Sequence, residues 1–185
     1  VLGHGILSGN AIREAVAEGT IRITPFRTDQ INPASYDLRL GKGVRVYTEP
    51  LPGREIVLDA KTDNPSRYFE MGAEGMILKP GTGYLLHTEE VVGTSSLVPV
   101  LDGKSSLGRL FLNVHFTAGY GDAGFLGQYT MEVSVLYPLR VYPGMRFAQI
   151  RFHTIAGEQM LYQGNYQGAA ALGPVASRSW KQFGP

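Results

Sequence analysis

Residues 102–133, DGKSSLGRLFLNVHFTAGYGDAGFLGQYTMEV, hold the densest run of side chains capable of chemistry. Lys104, Ser105, Ser106 and Arg109 crowd one turn flanked by Gly103 and Gly108. Arginine binds phosphate bidentately, and lysine acts as a point charge. Each charge-assisted bond contributes ~1.5–3 kcal/mol. Downstream, Gly119-Tyr120-Gly121-Asp122-Ala123-Gly124 puts an aspartate in a loop whose backbone a ligand can approach closely. Glu132 comes next. Alternation over residues 128–136 puts Tyr129, Met131, Val133 and Val135 on one strand face. Gln128, Thr130, Glu132 and Ser134 share the other. Glutamate is disfavoured in mid-strand. A solvated outer face would explain it, but a phosphate grip and an open loop nearby make Glu132 a candidate general base acting on a nucleotide.

Three motif matches fail on context. Gly119 to Gly124 fits G-x-G-x-x-G, but a dinucleotide fingerprint needs a helix next, and Phe125 onward reads as strand. Gly103-Lys104-Ser105 resembles the end of a P-loop, yet Val98 stands where that motif needs its first glycine. His87-Thr88-Glu89 fits the H-x-E of zinc deaminases, which also need cysteine ligands. The chain has no cysteine, which excludes that zinc chemistry, thiol nucleophiles and disulfides. His4, His87, His115 and His153 show no metal-ligand spacing and read as structural or exposed.

The elements that must position these residues read as β. A helix stands first: Ser8 as N-cap, Leu7 and Ile12 as a hydrophobic staple, and Gly19 as terminator. Short apolar or alternating runs follow at 35–40, 43–47, 55–58, 76–78, 84–87, 97–100, 110–116, 128–136 and 146–152. Turns such as Leu51-Pro52-Gly53 and Tyr142-Pro143-Gly144 separate them, as in a sandwich or barrel. A hydrophobic share of 43% can fill one core, expected over residues 1–161. Residues 162–185 are rich in Gly, Ala, Gln and Ser, which reads as a flexible tail, either frayed or closing over a ligand. A net charge of +1 gives no general pull on nucleic acid or membranes. The positive side of the balance falls in the later half, with the motif block. No run approaches ~18 apolar residues, and residues 1–9 lack the pattern of a signal peptide. The expectation is a soluble, cytoplasmic protein with neither membrane nor nucleic-acid partner.

At these residues the chain resembles the dCTP deaminases of the trimeric dUTPase-like superfamily. The resemblance runs through Ile6-Leu7-Ser8, Ile31-Asn32-Pro33-Ala34-Ser35-Tyr36-Asp37-Leu38-Arg39-Leu40 and Gly103-Lys104-Ser105-Ser106-Leu107-Gly108-Arg109. It continues through His115-Phe116-Thr117-Ala118-Gly119, Asp122-Ala123-Gly124-Phe125-Leu126-Gly127 and Thr130-Met131-Glu132. Asn165-Tyr166-Gln167-Gly168 and Gly173-Pro174-Val175-Ala176-Ser177-Arg178 complete it.

The resemblance implies a mainly β, distorted jelly-roll or barrel subunit with a short N-terminal helix. It implies a homotrimer with active sites between subunits. The implied reaction is hydrolytic deamination of dCTP without zinc, giving dUTP or continuing to dUMP and pyrophosphate, and so supplying dUMP for dTTP synthesis. Glu132 would be the general base, with Ser105 and the Ala118 carbonyl holding its water. Arg109 would bind phosphate and stabilise the site. Lys104 and Ser106 would grip the triphosphate, whose phosphates carry Mg²⁺. Asp122 would contact the sugar 3′-hydroxyl, with Phe125 packed on the ring. Tyr166 and Gln167 would close with the tail. Asn165, Ala169 and Gly121 depart from the family pattern, which has a basic residue, a glutamine and a hydrophobic residue there. Ala118-Gly119-Tyr120 leans towards the dUMP-forming members. A dUTPase and a non-catalytic nucleotide-binding relative are the alternatives.

Overall fold

The computed structural model describes residues 5–48, 55–167 and 173–184. The Leu51-Pro52-Gly53 turn, His4, Gly168 and Ala169 lie outside them. Helix α1 (Gly9–Ala17) begins as expected, with Ser8 Oγ accepting from the Ala11 amide at 3.3 Å. Leu7 and Ile12 are both buried, so the staple forms. Gly19 follows the cap residue Glu18 at φ +79°, the left-handed geometry that stops a helix.

The rest is β, as composition and punctuation predict. One sheet has three strands in the order β1 (Ile21–Thr24), β7 (Val91–Thr94) and β10 (Leu126–Gly127). A second runs β4 (Ser66–Glu70), β3 (Gly43–Tyr47), β6 (Tyr84–His87), β11 (Thr130–Val135) and β9 (Leu112–Asn113). A third has the order β2 (Tyr36–Arg39), β13 (Arg146–Thr154), β8 (Leu97–Gly103). A small pair joins β12 (Leu139–Val141) to β5 (Met76–Leu78). All the strand pairs are antiparallel. Tyr36, Leu38, Phe147, Ile150 and Phe152 from the third sheet meet Val44, Leu86, Met131 and Val133 from the second in one core, with Ile12 beneath α1.

Two expected strands change. Residues 55–58 form none: Ile56, Val57 and Leu58 stay exposed, with no strand among the described residues to cover them. The run over 110–116 shrinks to β9. Leu110 and Phe111 instead close the short helix α2 (Ser105–Gly108), their amides donating to the Leu107 and Gly108 carbonyls at 2.9 Å. Phe111 sits at φ 57°, which ends strand geometry there.

The buried polar groups are mostly paired. Glu90 is fully buried and accepts from Arg39 Nε at 2.9 Å, the Arg39 amide at 2.8 Å and Gln30 Nε2 at 3.0 Å. His87 proves structural. Its Nε2 accepts from the Gly43 amide at 3.0 Å, and its Nδ1 faces the Thr88 carbonyl at 2.9 Å. These two bonds fix the neutral Nδ1–H tautomer. A Cβ at Gly41 would lie 2.1 Å from the ring, so position 41 must be glycine.

Candidate active site

Glu132 lies in the middle of β11, the strand next to the edge of the second sheet. It pairs in register with Leu85 of β6 on one side. On the other side β9 covers only Ser134 and Val135, so the edge beside Glu132 is left open by its neighbouring strand. The alternation is as the sequence predicts: Met131, Val133 and Val135 are buried, while Thr130, Glu132 and Ser134 are half-buried. The open edge becomes a cavity rather than a solvated face. Glu132 Oε2 is shut away from solvent with no hydrogen-bond partner among the described residues. Burial holds this carboxyl above the usual carboxylate range. The charge of His115 and the backbone amides of Glu132 and Phe116 oppose the shift without cancelling it.

The glycine-rich loop is laid along β8. The Leu101 amide donates to the Gly119 carbonyl at 2.6 Å, and the Gly121 amide to the Pro99 carbonyl at 2.8 Å. That path brings Ala118, Tyr120 and Asp122 to the rim of a cavity of about 610 Å³ containing Glu132. Phe125, Gln128, Tyr129, Thr130, Tyr47 and Leu85 also line it. Phe125 is held edge-on between Tyr129 at 5.1 Å and Tyr162 at 6.0 Å.

Described residues on both sides of 168–172 reach this cavity. Tyr162, Tyr166, Val175 and Ser177 line it. The Val175 amide donates to Thr130 Oγ1 at 3.0 Å, and the Ser177 amide to the Tyr47 hydroxyl at 2.9 Å. Tyr166 accepts the Arg178 amide at 3.0 Å and carries the Arg178 guanidinium 5.9 Å above its ring. Arg178 Nη1 also bonds the Asn165 carbonyl. Gln167 lies outside the cavity lining, where its amide caps the Gly124 carbonyl at 2.8 Å.

The structure therefore gathers Glu132, Ala118, Asp122, Phe125 and Tyr166 from the candidate set. It does not bring the cationic turn to them within the chain. Ser105, Ser106 and Arg109 are exposed, and none lines the cavity. Arg109 only bonds back to the Ser105 carbonyl at 3.2 Å. Lys104 pairs with buried Asp37 at 2.5 Å, which Asn32 Nδ2 also contacts at 2.8 Å. A carboxylate so deeply placed needs such a counter-charge. Tyr47, Tyr120, Tyr129 and Tyr162 are lining residues that the sequence reading missed. Alternation pointed Tyr129 to the core, but pairing lapses just before Thr130, and its ring reaches both core and cavity.

The chain has relatives among known proteins. A relative named "dCTP deaminase, dUMP-forming" from Leptospira biflexa is 43% identical over 179 residues, covering 96% of this chain and 98% of its own. One of the same name from Clostridium beijerinckii is 41% identical with the same coverage. Among solved structures, the 2′-deoxycytidine 5′-triphosphate deaminase of Agrobacterium tumefaciens superposes with a TM-score of 0.64 at 29% identity. The match takes in 82% of this chain and 49% of that one. Residues 6–155 match the family model described as dCTP deaminase-like, and the chain belongs to that family.

Proposed function

We propose that the protein deaminates the cytosine ring of dCTP and carries the resulting dUTP on to dUMP and pyrophosphate. The observation that carries this reading is Glu132: a carboxylate with a free buried oxygen, its proton affinity raised by burial, in a cavity sized for a nucleoside. A carboxylate whose proton affinity is raised by burial is a stronger general base than an exposed one. Water adds to C4 as Glu132 takes its proton and passes it to N3. Glu132 then takes the remaining hydroxyl proton and delivers it to the amino group. Ammonia leaves, and C4 becomes a carbonyl. Attack of a second water on the α-phosphorus releases pyrophosphate. The dUMP-forming names of the relatives support that second step.

Ala118 belongs at the reacting water, Asp122 at the sugar 3′-hydroxyl, and Phe125 against the sugar ring. Tyr166, Gln167 and the segment after them close the cavity over the nucleotide. Ser105, Ser106 and Arg109 act from a neighbouring subunit of a homotrimer, Ser105 on the water and the other two on phosphate. Their exposure outside the cavity supports that division. So does the exposed apolar cluster of Leu110, Phe111, Leu136 and Tyr137 next to them, a surface that association would cover. Lys104 reaches phosphate only by leaving Asp37, so its first task is the ion pair.

Mg²⁺ enters with the triphosphate. Asp37 is already engaged, and Asp122 is the exposed carboxylate at the cavity, so the ion would keep mainly phosphate and water ligands. When bound it neutralises phosphate charge. No described helix is long and apolar enough to cross a membrane.

The test is anion-exchange analysis of products from dCTP with Mg²⁺. dUMP with pyrophosphate is expected. Accumulated dUTP would remove the second step. Intact dCTP beside cleaved dUTP would overturn the deaminase reading.

A further inference from the structure

Tyr129 carries a hydroxyl that the proposed chemistry leaves unused. Its oxygen is buried and has no partner among the described residues, although the residue lines the nucleotide cavity. The ring cannot easily swing away. The Tyr129 amide donates to Thr88 Oγ1 at 2.9 Å, its carbonyl accepts from the Thr88 amide at 3.0 Å, and Phe125 packs edge-on against it at 5.1 Å. The hydroxyl fills a particular space. A Cβ at Gly121 would stand 2.9 Å from it and 2.9 Å from the Pro99 carbonyl oxygen. Gly121, the residue immediately before Asp122 in the chain, therefore makes room for the phenol.

Asp122 is the complementary group. It is exposed at the cavity, and its carboxylate makes no hydrogen bond among the described residues. Its negative charge reaches the phenol and, after burial itself, is the second cause that raises the Tyr129 pKa. The phenol thus stays protonated and remains a donor at any physiological pH. A buried donor without an acceptor and a neighbouring acceptor without a donor can satisfy each other through a small loop movement.

We propose that Tyr129 is a positioning residue that sets sugar specificity: its hydroxyl donates to the Asp122 carboxylate and aims the other carboxylate oxygen at the 3′-hydroxyl of the bound deoxynucleotide. The departure at Gly121 is then one half of a pair whose other half is Tyr129. This inference rests on the assignment of the cavity to a deoxycytidine nucleotide with its sugar at Asp122.

The experiment compares kcat/KM for dCTP and for 2′,3′-dideoxy-CTP in the full-length protein and in Tyr129→Phe. The wild-type protein should prefer dCTP. Tyr129→Phe should lose about tenfold of that preference, the worth of one hydrogen bond to a charged group, while turnover of the dideoxy substrate holds. Its Tm should match or exceed wild type, because an unpaired buried donor has gone. Gly121→Ala should lower the preference in the same way by displacing the phenol. An unchanged preference in Tyr129→Phe, or an equal loss on both substrates, would overturn the proposal. A wild-type protein indifferent to the 3′-hydroxyl would overturn the sugar assignment and this proposal with it. That failure shows in the unmutated protein and so is distinguishable from failure of Tyr129 alone.

Discussion

Replacing Glu132 with glutamine should abolish the chemistry and stabilise the fold. The glutamine keeps the shape of the side chain and its place opposite Leu85 in β6. What disappears is a carboxylate whose Oε2 is buried without a partner. Leaving such an atom unpaired costs ~1–3 kcal/mol, and more when it is charged. The amide retains part of that cost, so a gain of ~1–2 kcal/mol is expected near neutral pH. For a chain of this length that raises Tm by roughly 2–4 °C per kcal/mol. The gain must also depend on pH. Glu132 binds its proton more tightly folded than unfolded. The extra cost of burying its charge is therefore absent below the unfolded pKa of about 4.3, where only the neutral cost shared with the amide remains. The extra cost appears as pH rises through the folded pKa. Thermal melts of both proteins at one subunit concentration should coincide near pH 4 and separate by pH 8, the variant being higher. Deamination should fall by ~10²-fold or more. A variant that melts at or below wild type at pH 8 would refute the burial argument. Near-wild-type turnover would remove Glu132 from the mechanism.

Mixing tests the division of the site between subunits: Glu132→Gln and Arg109→Ala should each be nearly inactive, yet refolding them together in equal amounts should restore about a quarter of the sites. Activity that stays at the level of the single variants would place both groups in one subunit's site. His87 predicts an acid limit of stability. Burial, its main cause, holds the folded pKa of this ring below the ordinary value. Stability is therefore full above about 6.5 and is lost as pH falls from there towards the folded pKa, because only the unfolded ring takes up a proton in that window. Urea midpoints for wild type and His87→Asn should converge as pH drops from 7 to 5, and parallel curves would contradict this. Glu90→Ala leaves the buried Arg39 guanidinium only the more exposed Glu89, 3.2 Å away, and should cost up to ~3–5 kcal/mol in urea unfolding, with Glu90→Gln costing less. Equal losses would mean the charge is not what Arg39 needs.

Periodicity made the fold class legible. Strict alternation located β11 and the face of Glu132, and capping chemistry located α1. What the sequence hid was set by long-range pairing. Residues 55–58 have strand-like composition but no partner strand among the described residues, and they remain exposed. β1, β7 and β10 are short segments that become strands by pairing with one another, and local pattern cannot reveal that. The same limit applies to the site. Types and spacing singled out Glu132 and the loop of Asp122, the family resemblance added Phe125 and Ala118, and all four line the cavity. Types and spacing also placed the Lys104 to Arg109 turn beside them, because closeness in sequence stood in for closeness in space. In the folded chain that turn faces outward, and Lys104 is taken up by Asp37, a partner 67 residues away.

The distribution of unpaired groups is itself an argument about function. Glu132 Oε2, the Tyr129 hydroxyl and His115 Nδ1 are three of the five buried polar side-chain atoms without a hydrogen-bond partner among the described residues. Tyr129 and Glu132 line the cavity, and the charge of His115 acts on Glu132. The same subunit satisfies His87 on both ring nitrogens and surrounds Glu90 with donors. Polar burial is therefore not poorly tolerated by this fold. Two of the five incomplete atoms, Glu132 Oε2 and the Tyr129 hydroxyl, line one cavity, where a polar ligand can complete them, while Gln30 Oε1 and Arg39 Nη2 lie in the network around Glu90. Each contact so completed returns a desolvation cost already present in the free protein, which lets a nucleotide bind at a site that weakens the fold in its absence.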